Sequence, residues 1–204
     1  MTPYHNITLL AVEPEEVADW LAENGFPAYI SPMIDDITVV YDGLSLEADE
    51  QATPTVTDDE DDSTDPLERL LLLVSELSYE LGCTAWLMLC DEAQTCIYSI
   101  YVDGELVEQY GASDALPPSG GNPEFLAELF EQPKRVIKDL RAVLNRHPML
   151  ATERHEKLLK LLEVPPLALN IGYEQLMQGA LPQGITDLEA LIWIGEVEDD
   201  DDEL

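Results

Sequence analysis

Side chains able to do covalent or proton chemistry are scarce here: three cysteines and three histidines. His155, in Arg154-His155-Glu156, falls on the apolar side of a helical pattern, four residues before Leu159. A general base needs a nucleophile or carboxylate within hydrogen-bond reach. A cleft beside a carboxylate would favour an enzyme using His155, and packing against leucines would count against one. The second reading is preferred on the pattern. His147 precedes Pro148 at a helix end, where a positive ring suits the dipole. His5 stands near the N-terminus, and three scattered histidines make no metal spacing. Cys83, Cys90 and Cys96 lie inside or beside apolar runs. Buried, reduced thiols with raised pKa values and little access are expected, and their spacing fits no zinc pattern. Ser119-Gly120-Gly121 lacks the lysine of a phosphate-binding loop. These patterns point to no catalytic residue, no metal and no cofactor.

Carboxylates are the abundant groups. The chain of 204 residues has 43 Asp and Glu against nine Lys and Arg, a net charge of −34. Residues 1–133 hold 29 of the acids and one base, Arg69. Residues 134–160 hold eight bases and three acids, and residues 161–204 hold 11 acids and no base. Such a field repels nucleic acid and anionic membrane and steers basic partners in. The expected partner surface is Asp58, Asp59, Glu60, Asp61 and Asp62, with Glu15, Glu16, Asp19 and Glu23 of a first helix. The 57–65 run fails as a calcium loop, because Ser63 stands where the glycine belongs and Arg69 where the bidentate glutamate belongs.

The elements that position these groups read as α+β. A first strand over 7–12, a helix over 14–24 opened by Pro14 and closed by Gly25, and strands over 28–30 and 37–41 give β-α-β-β. Asp65-Pro66 opens a second helix, with Leu67, Leu70, Leu71, Val74, Leu77 and Leu81 on its stripe and Gly82 at its end. The 84–90 run is apolar throughout and reads as a strand covered on both faces. A polar loop over 91–94 joins it to a strand over 95–102. Asp103-Gly104 then makes a two-residue hairpin turn to 105–110. That register would oppose Val102 to Glu105, Ile100 to Val107 and Ile97 to Tyr110. One face would carry Tyr98 and Ile100, the other Tyr101, Leu106 and Tyr110, with helices on one side and partial cover on the other.

The expected architecture is an antiparallel or mixed sheet built around hairpin 95–110 with two β-α-β-like passages, followed by a helical part. Residues 1–115 form the strand-rich part, with an acidic loop over 47–65. Residues 116–195 form the helical part, with helices over 123–132, 134–146, 152–163 and 167–178, and a last strand or helix end over 189–194. Residues 196–204 form an acidic tail. The helices over 152–163 and 167–178 could make a helix-turn-helix, but the second carries Glu174 and no Lys or Arg, so hairpin packing is preferred. The cations of 134–160 are expected to pair inward with the acidic part; an outward cationic face is the alternative. No 18-residue apolar run or basic leader occurs, so a cytoplasmic protein is expected.

Asp103-Gly-Glu-Leu-Val107 with Tyr110, Ser119-Gly-Gly121 with Pro123, Arg154-His155 with Leu158, then Pro165 and Gly172-Tyr173 resemble an uncharacterised family of acidic bacterial proteins. The resemblance covers the second half of the chain and implies no activity. The function that the sequence favours is a non-enzymatic acidic protein that presents carboxylates to a basic partner, as immunity proteins and DNA-mimicking inhibitors do. The competing expectations are acidity as high-salt adaptation, an enzyme with a cleft near His155, and a transcription regulator using the 134–160 face.

Overall fold

The computed structural model of the protein describes residues 3–44, 65–91, 95–113 and 115–195. The expected tail over 196–204 and all but Asp65 of the expected acidic loop lie outside them, as do parts of the 91–94 loop.

Eight strands form one sheet: β1 (Tyr4–Leu10), β2 (Ala28–Ile30), β3 (Ile37–Asp42), β4 (Thr84–Asp91), β5 (Thr95–Val102), β6 (Glu105–Ala112), β7 (Ser119–Gly120) and β8 (Ile192–Ile194). Their order is β7-β6-β5-β4-β1-β3-β2-β8, and every neighbouring pair is antiparallel. Helix α1 (Pro14–Glu23) joins β1 to β2, and α2 (Pro66–Glu80) joins β3 to β4. Because β3 lies between β1 and β2, and β1 between β3 and β4, each passage is a split β-α-β. The two passages share one sheet in the ferredoxin-like β-α-β-β-α-β order. The chain after residue 115 adds α3 (Pro123–Leu129), α4 (Ile137–Asn145), α5 (Ala151–Leu162) and the five-residue α6 (Tyr173–Met177), and also supplies β7 and β8 to the two sheet edges. No helix among the described residues is long and apolar enough to cross a membrane.

Local chemistry explains where the first two helices begin and end. Pro14 and Pro66 occupy first-turn positions, where a missing N–H costs nothing. Asp65 caps α2 by accepting from the Leu67 amide at 3.0 Å. Gly25 and Gly82 take the left-handed conformation just past α1 and α2, with φ 71° and 56°.

Helices cover both faces of the sheet, rather than one face with partial cover opposite. Along β4, Ala85 and Leu87 point into a core with α1 and α2, while Trp86, Met88 and Cys90 point into a core with α3, α4 and α5. This two-sided burial is why the run from Ala85 to Cys90 is apolar at every position. In the α2 core Leu70, Leu73, Val74 and Leu77 are buried; Leu73 adds to the expected stripe, and Leu71 and Leu81 pack half-buried against it. Each such side chain contributes roughly 1.5–3 kcal/mol.

Hairpin β5–β6 departs from its expected register. The Asp103-Gly104 turn opposes Val102 to Glu105 and Tyr101 to Leu106 as the two-residue loop dictates. A bulge then inserts Val107, so Ile100 faces Glu108 and Tyr98 faces Tyr110. Everything beyond the bulge changes face. Tyr110 therefore stacks on Tyr98 at 5.1 Å and donates to the Leu144 carbonyl at 2.8 Å, tying the sheet to α4. Leu106 stays with Tyr101 on the α2 side.

The expected helix over 167–178 does not form as one element. A 3-10 turn, Pro166–Ala168, is followed by Asn170 at φ 59°, and only Tyr173–Met177 is helical. Asn6, fully buried on β1, holds this segment extended by donating to the Ala168 and Ile171 carbonyls at 2.8 and 2.9 Å. The second helix of a helix-turn-helix is thereby missing.

Candidate functional site

Four of the five longest helix ends, and that of α6, use one local device. An N–H bonds back to the carbonyl five residues earlier, in the last turn, and the residue before that N–H turns left-handed. At α1, α2 and α6 that residue is glycine, Gly25, Gly82 and Gly179. At α3 and α5 it is a glutamate. Glu131 has φ 52°, with Gln132 N bonded to the Ala127 carbonyl at 2.7 Å. Glu163 has φ 56°, with Val164 N bonded to the Leu159 carbonyl at 2.9 Å. A side chain in this conformation costs about 1 kcal/mol or more relative to glycine. A carboxylate beside a helix C-terminus is also opposed by the dipole.

Both glutamates line the same cavity, of about 440 Å3. Its other acidic wall is the turn Asp35-Asp36, with φ 50° and 60°, closed by paired bonds of 2.9 and 3.0 Å between Ile34 and Ile37. Ala11, at φ 57° where β1 ends, also lines it and donates its amide to the Asp36 carbonyl at 2.8 Å. Gln132 braces the floor by donating to the Phe130 and Leu162 carbonyls at 3.0 and 3.2 Å. Apolar contact comes from Leu10, Ile37, Leu129, Phe130, Leu162 and Val164. Four carboxylates and the negative ends of two helices thus surround one space whose lining holds no Lys or Arg. Five of the seven non-glycine residues with positive φ among the described residues stand around it. Strained backbone of this kind persists where the surroundings over-determine it, often at ligand clamps. No three His, Cys, Asp or Glu among the described residues are placed to hold a metal ion. The spread carboxylates suit the wider hydrogen-bonding perimeter of a guanidinium or ammonium group.

The sequence did not single out these four acids. Its signal was a missing glycine: the patterns of α3 and α5 end in Glu-Gln-Pro and Glu-Val-Pro, where other helices of this chain end in glycine. The expected surface residues Glu15, Glu16, Asp19 and Glu23 are exposed along α1, apart from this cavity's lining. Asp58, Asp59, Glu60, Asp61 and Asp62 lie outside the described residues.

The cations of 134–160 do not turn inward as expected. Among the described residues one ion pair, Arg141 with Glu124, joins them to the chain before residue 134. Arg146 and Lys157 pair with Glu153 at 4.0 and 2.7 Å. Together with Lys160 they rim an apolar groove of about 290 Å3 over Val143, Met149 and Leu161. Arg154 alone is buried, at 1% exposure. Its guanidinium donates to the carbonyls of Val143, Leu144 and Arg146 at the end of α4 and lies 5.6 Å over the Tyr110 ring.

His155 lies in the core at 1% exposure and lines neither the acidic cavity nor the apolar groove. Its Nδ1 is 2.7 Å from the Tyr4 hydroxyl, which burial keeps protonated. Cys90 lies beside both and directly opposite Cys96. Burial, helped by Asp103, pushes the Cys83 thiol up to about 11, as expected of a thiol in an apolar run. Cys90 departs from that expectation. Cys96, and then His155, hold its thiol below the ordinary range against the effect of burial, while Cys96, whose thiol donates to the Met88 sulfur at 3.8 Å, is pushed up. His5, on β1, bonds Asp42 of β3 at 3.0 Å.

Comparison with protein-family models, curated proteins and solved structures finds no match to this chain.

Proposed function

We propose that this protein binds a basic protein partner and that the cavity bounded by Asp35, Asp36, Glu131 and Glu163 receives a lysine or arginine side chain of that partner. The observation that carries this reading is the pair of glutamates at left-handed helix ends. Glycine would be less strained at both places, and both residues line one cavity instead. Carboxylates on α1 and elsewhere over the first 133 residues add the long-range field that speeds encounter, while the cavity supplies the short-range choice. The same field disfavours nucleic acid. Three free cysteines suit a reducing compartment such as the cytoplasm.

The test is capture from native lysate at physiological salt with three proteins side by side: wild type, a variant with Asp35→Asn, Asp36→Asn, Glu131→Gln and Glu163→Gln, and one with Glu15→Gln, Glu16→Gln, Asp19→Asn and Glu23→Gln. A basic protein retained by wild type and the α1 variant but lost from the cavity variant supports the reading. Equal loss from both variants, or no basic protein retained, contradicts it.

A further inference from the structure

The β4–β5 register holds a second site. Asp103 donates its amide to the Cys83 carbonyl at 3.3 Å, which makes 83/103 a hydrogen-bonded pair. Hydrogen-bonded and non-bonded pairs alternate along an antiparallel ladder. The register from Thr84↔Val102 to Asp91↔Thr95 runs without a shift. Counting along it makes Cys90↔Cys96 a non-bonded pair. Such pairs bring the Cα atoms to about 4.5 Å and the side chains closest, within the range that a disulfide spans. Both thiols point into the α5 core, where Tyr4 and His155 adjoin Cys90. Arg154, a buried guanidinium paired with no carboxylate among the described residues, lies on the Cys96 side. Its charge reaches the thiol pair and favours an anion there.

We propose that Cys90 and Cys96 are a redox pair that closes to an intramolecular disulfide when the folded protein meets hydrogen peroxide. The Cys90 thiolate attacks one peroxide oxygen; an S–O bond forms, the O–O bond breaks, and the leaving hydroxide takes a proton to become water. The Cys96 sulfur then attacks the Cys90 sulfenic acid; the S–S bond forms, the S–O bond breaks, and the second oxygen leaves as water with the Cys96 proton. Two thiols and one peroxide give one disulfide and two waters, with two electrons passing from sulfur to oxygen. The oxidant has to be small, because each thiol is only 1% exposed. Cys83 faces the opposite core, with α2, and takes no part.

The experiment oxidises the folded full-length protein with hydrogen peroxide, blocks remaining thiols under denaturing conditions, and reads intact mass and a peptide map. The expected result is loss of two hydrogens, two of three thiols protected from blocking, a mapped Cys90–Cys96 bond, and full reversal by dithiothreitol. Cys83→Ser keeps the behaviour. In Cys96→Ser, Cys90 stops at a sulfenic acid that dimedone traps. Three blockable thiols after oxidation, a bond to Cys83, or a bond that forms only in denaturant would overturn the proposal. The wild-type mass and map decide between these outcomes by themselves, even where a serine variant fails to fold.

Discussion

Glu131 and Glu163 occupy the same position at two different helix ends, both left-handed, and line one cavity. Neither the end of α3 nor the end of α5 requires a carboxylate. Glycine serves that position at α1, α2 and α6, and a cation, not an anion, suits a helix C-terminus. The local rules of helix ending are broken twice toward one space, and such departures are expected at functional sites.

Replacing these residues by glycine therefore separates stability from binding. Glu131→Gly and Glu163→Gly each relieve left-handed strain and carboxylate–dipole repulsion, with an expected gain of about 1 kcal/mol. For a chain of this length that raises Tm by roughly 2–4 °C. Capture of the basic partner should weaken in the same variants. Thermal melts beside binding assays check both; a fall in Tm would mean that the glutamates stabilise the helix ends.

Much of the fold was legible because its signals were local. Asp65-Pro66, Pro14, the Gly25 and Gly82 ends and the Asp103-Gly104 turn each act within a few residues, and each stands where the sequence placed it. What the sequence hid was set by single-residue offsets and distant partners. A four-residue loop over 91–94 would oppose Cys90 to Thr95; the observed closing pair Asp91↔Thr95 opposes it to Cys96. The Val107 bulge moved Tyr110 to the other face in the same way. The cavity joins residues from β1, the turn before β3, α3 and α5, and no short-range pattern could bring them together. His5 looked incidental until β3 placed Asp42 beside it.

The His5–Asp42 pair gives the protein a pH-dependent element of stability. Burial lowers the His5 pKa, but the charge and hydrogen bond of Asp42, with Glu174, outweigh it and leave the folded value raised. In the unfolded chain the value is about 6.5. A raised folded pKa contributes stability that is fully present below the unfolded value and is lost as pH rises through the folded one. Urea midpoints should therefore fall as pH climbs from about 6.5 through the folded pKa. His5→Gln should lack this component, so subtracting its profile isolates it; identical profiles would show that the pair contributes nothing.

Two buried serines make an internal contrast. Ser78 donates to the Cys83 carbonyl at 2.7 Å and accepts from the Gly104 amide at 3.1 Å, linking α2 to both ends of the β4–β5 hairpin unit. Ser99, equally buried on β5, has no partner for its hydroxyl among the described residues. Ser78→Ala leaves the half-buried Gly104 amide without its partner, while the Cys83 carbonyl keeps the Asp103 amide, and should cost about 1 kcal/mol. Ser99→Ala removes an unpaired hydroxyl and should be neutral or stabilising. Paired denaturation curves give the comparison directly.

The most direct test of partner binding at the acidic cavity is a titration of isotope-labelled protein with a short arginine-containing basic peptide at physiological ionic strength, followed by amide chemical shifts. At that salt the screening length is about 8 Å, so attraction to scattered surface charge is weak and a shaped site stands out. The expected result is saturable shifts concentrated at Ala11, Asp35, Asp36, Glu131, Gln132 and Glu163, abolished by the four cavity substitutions. Shifts spread evenly over α1 and the other acidic surfaces, or unchanged by those substitutions, would contradict it.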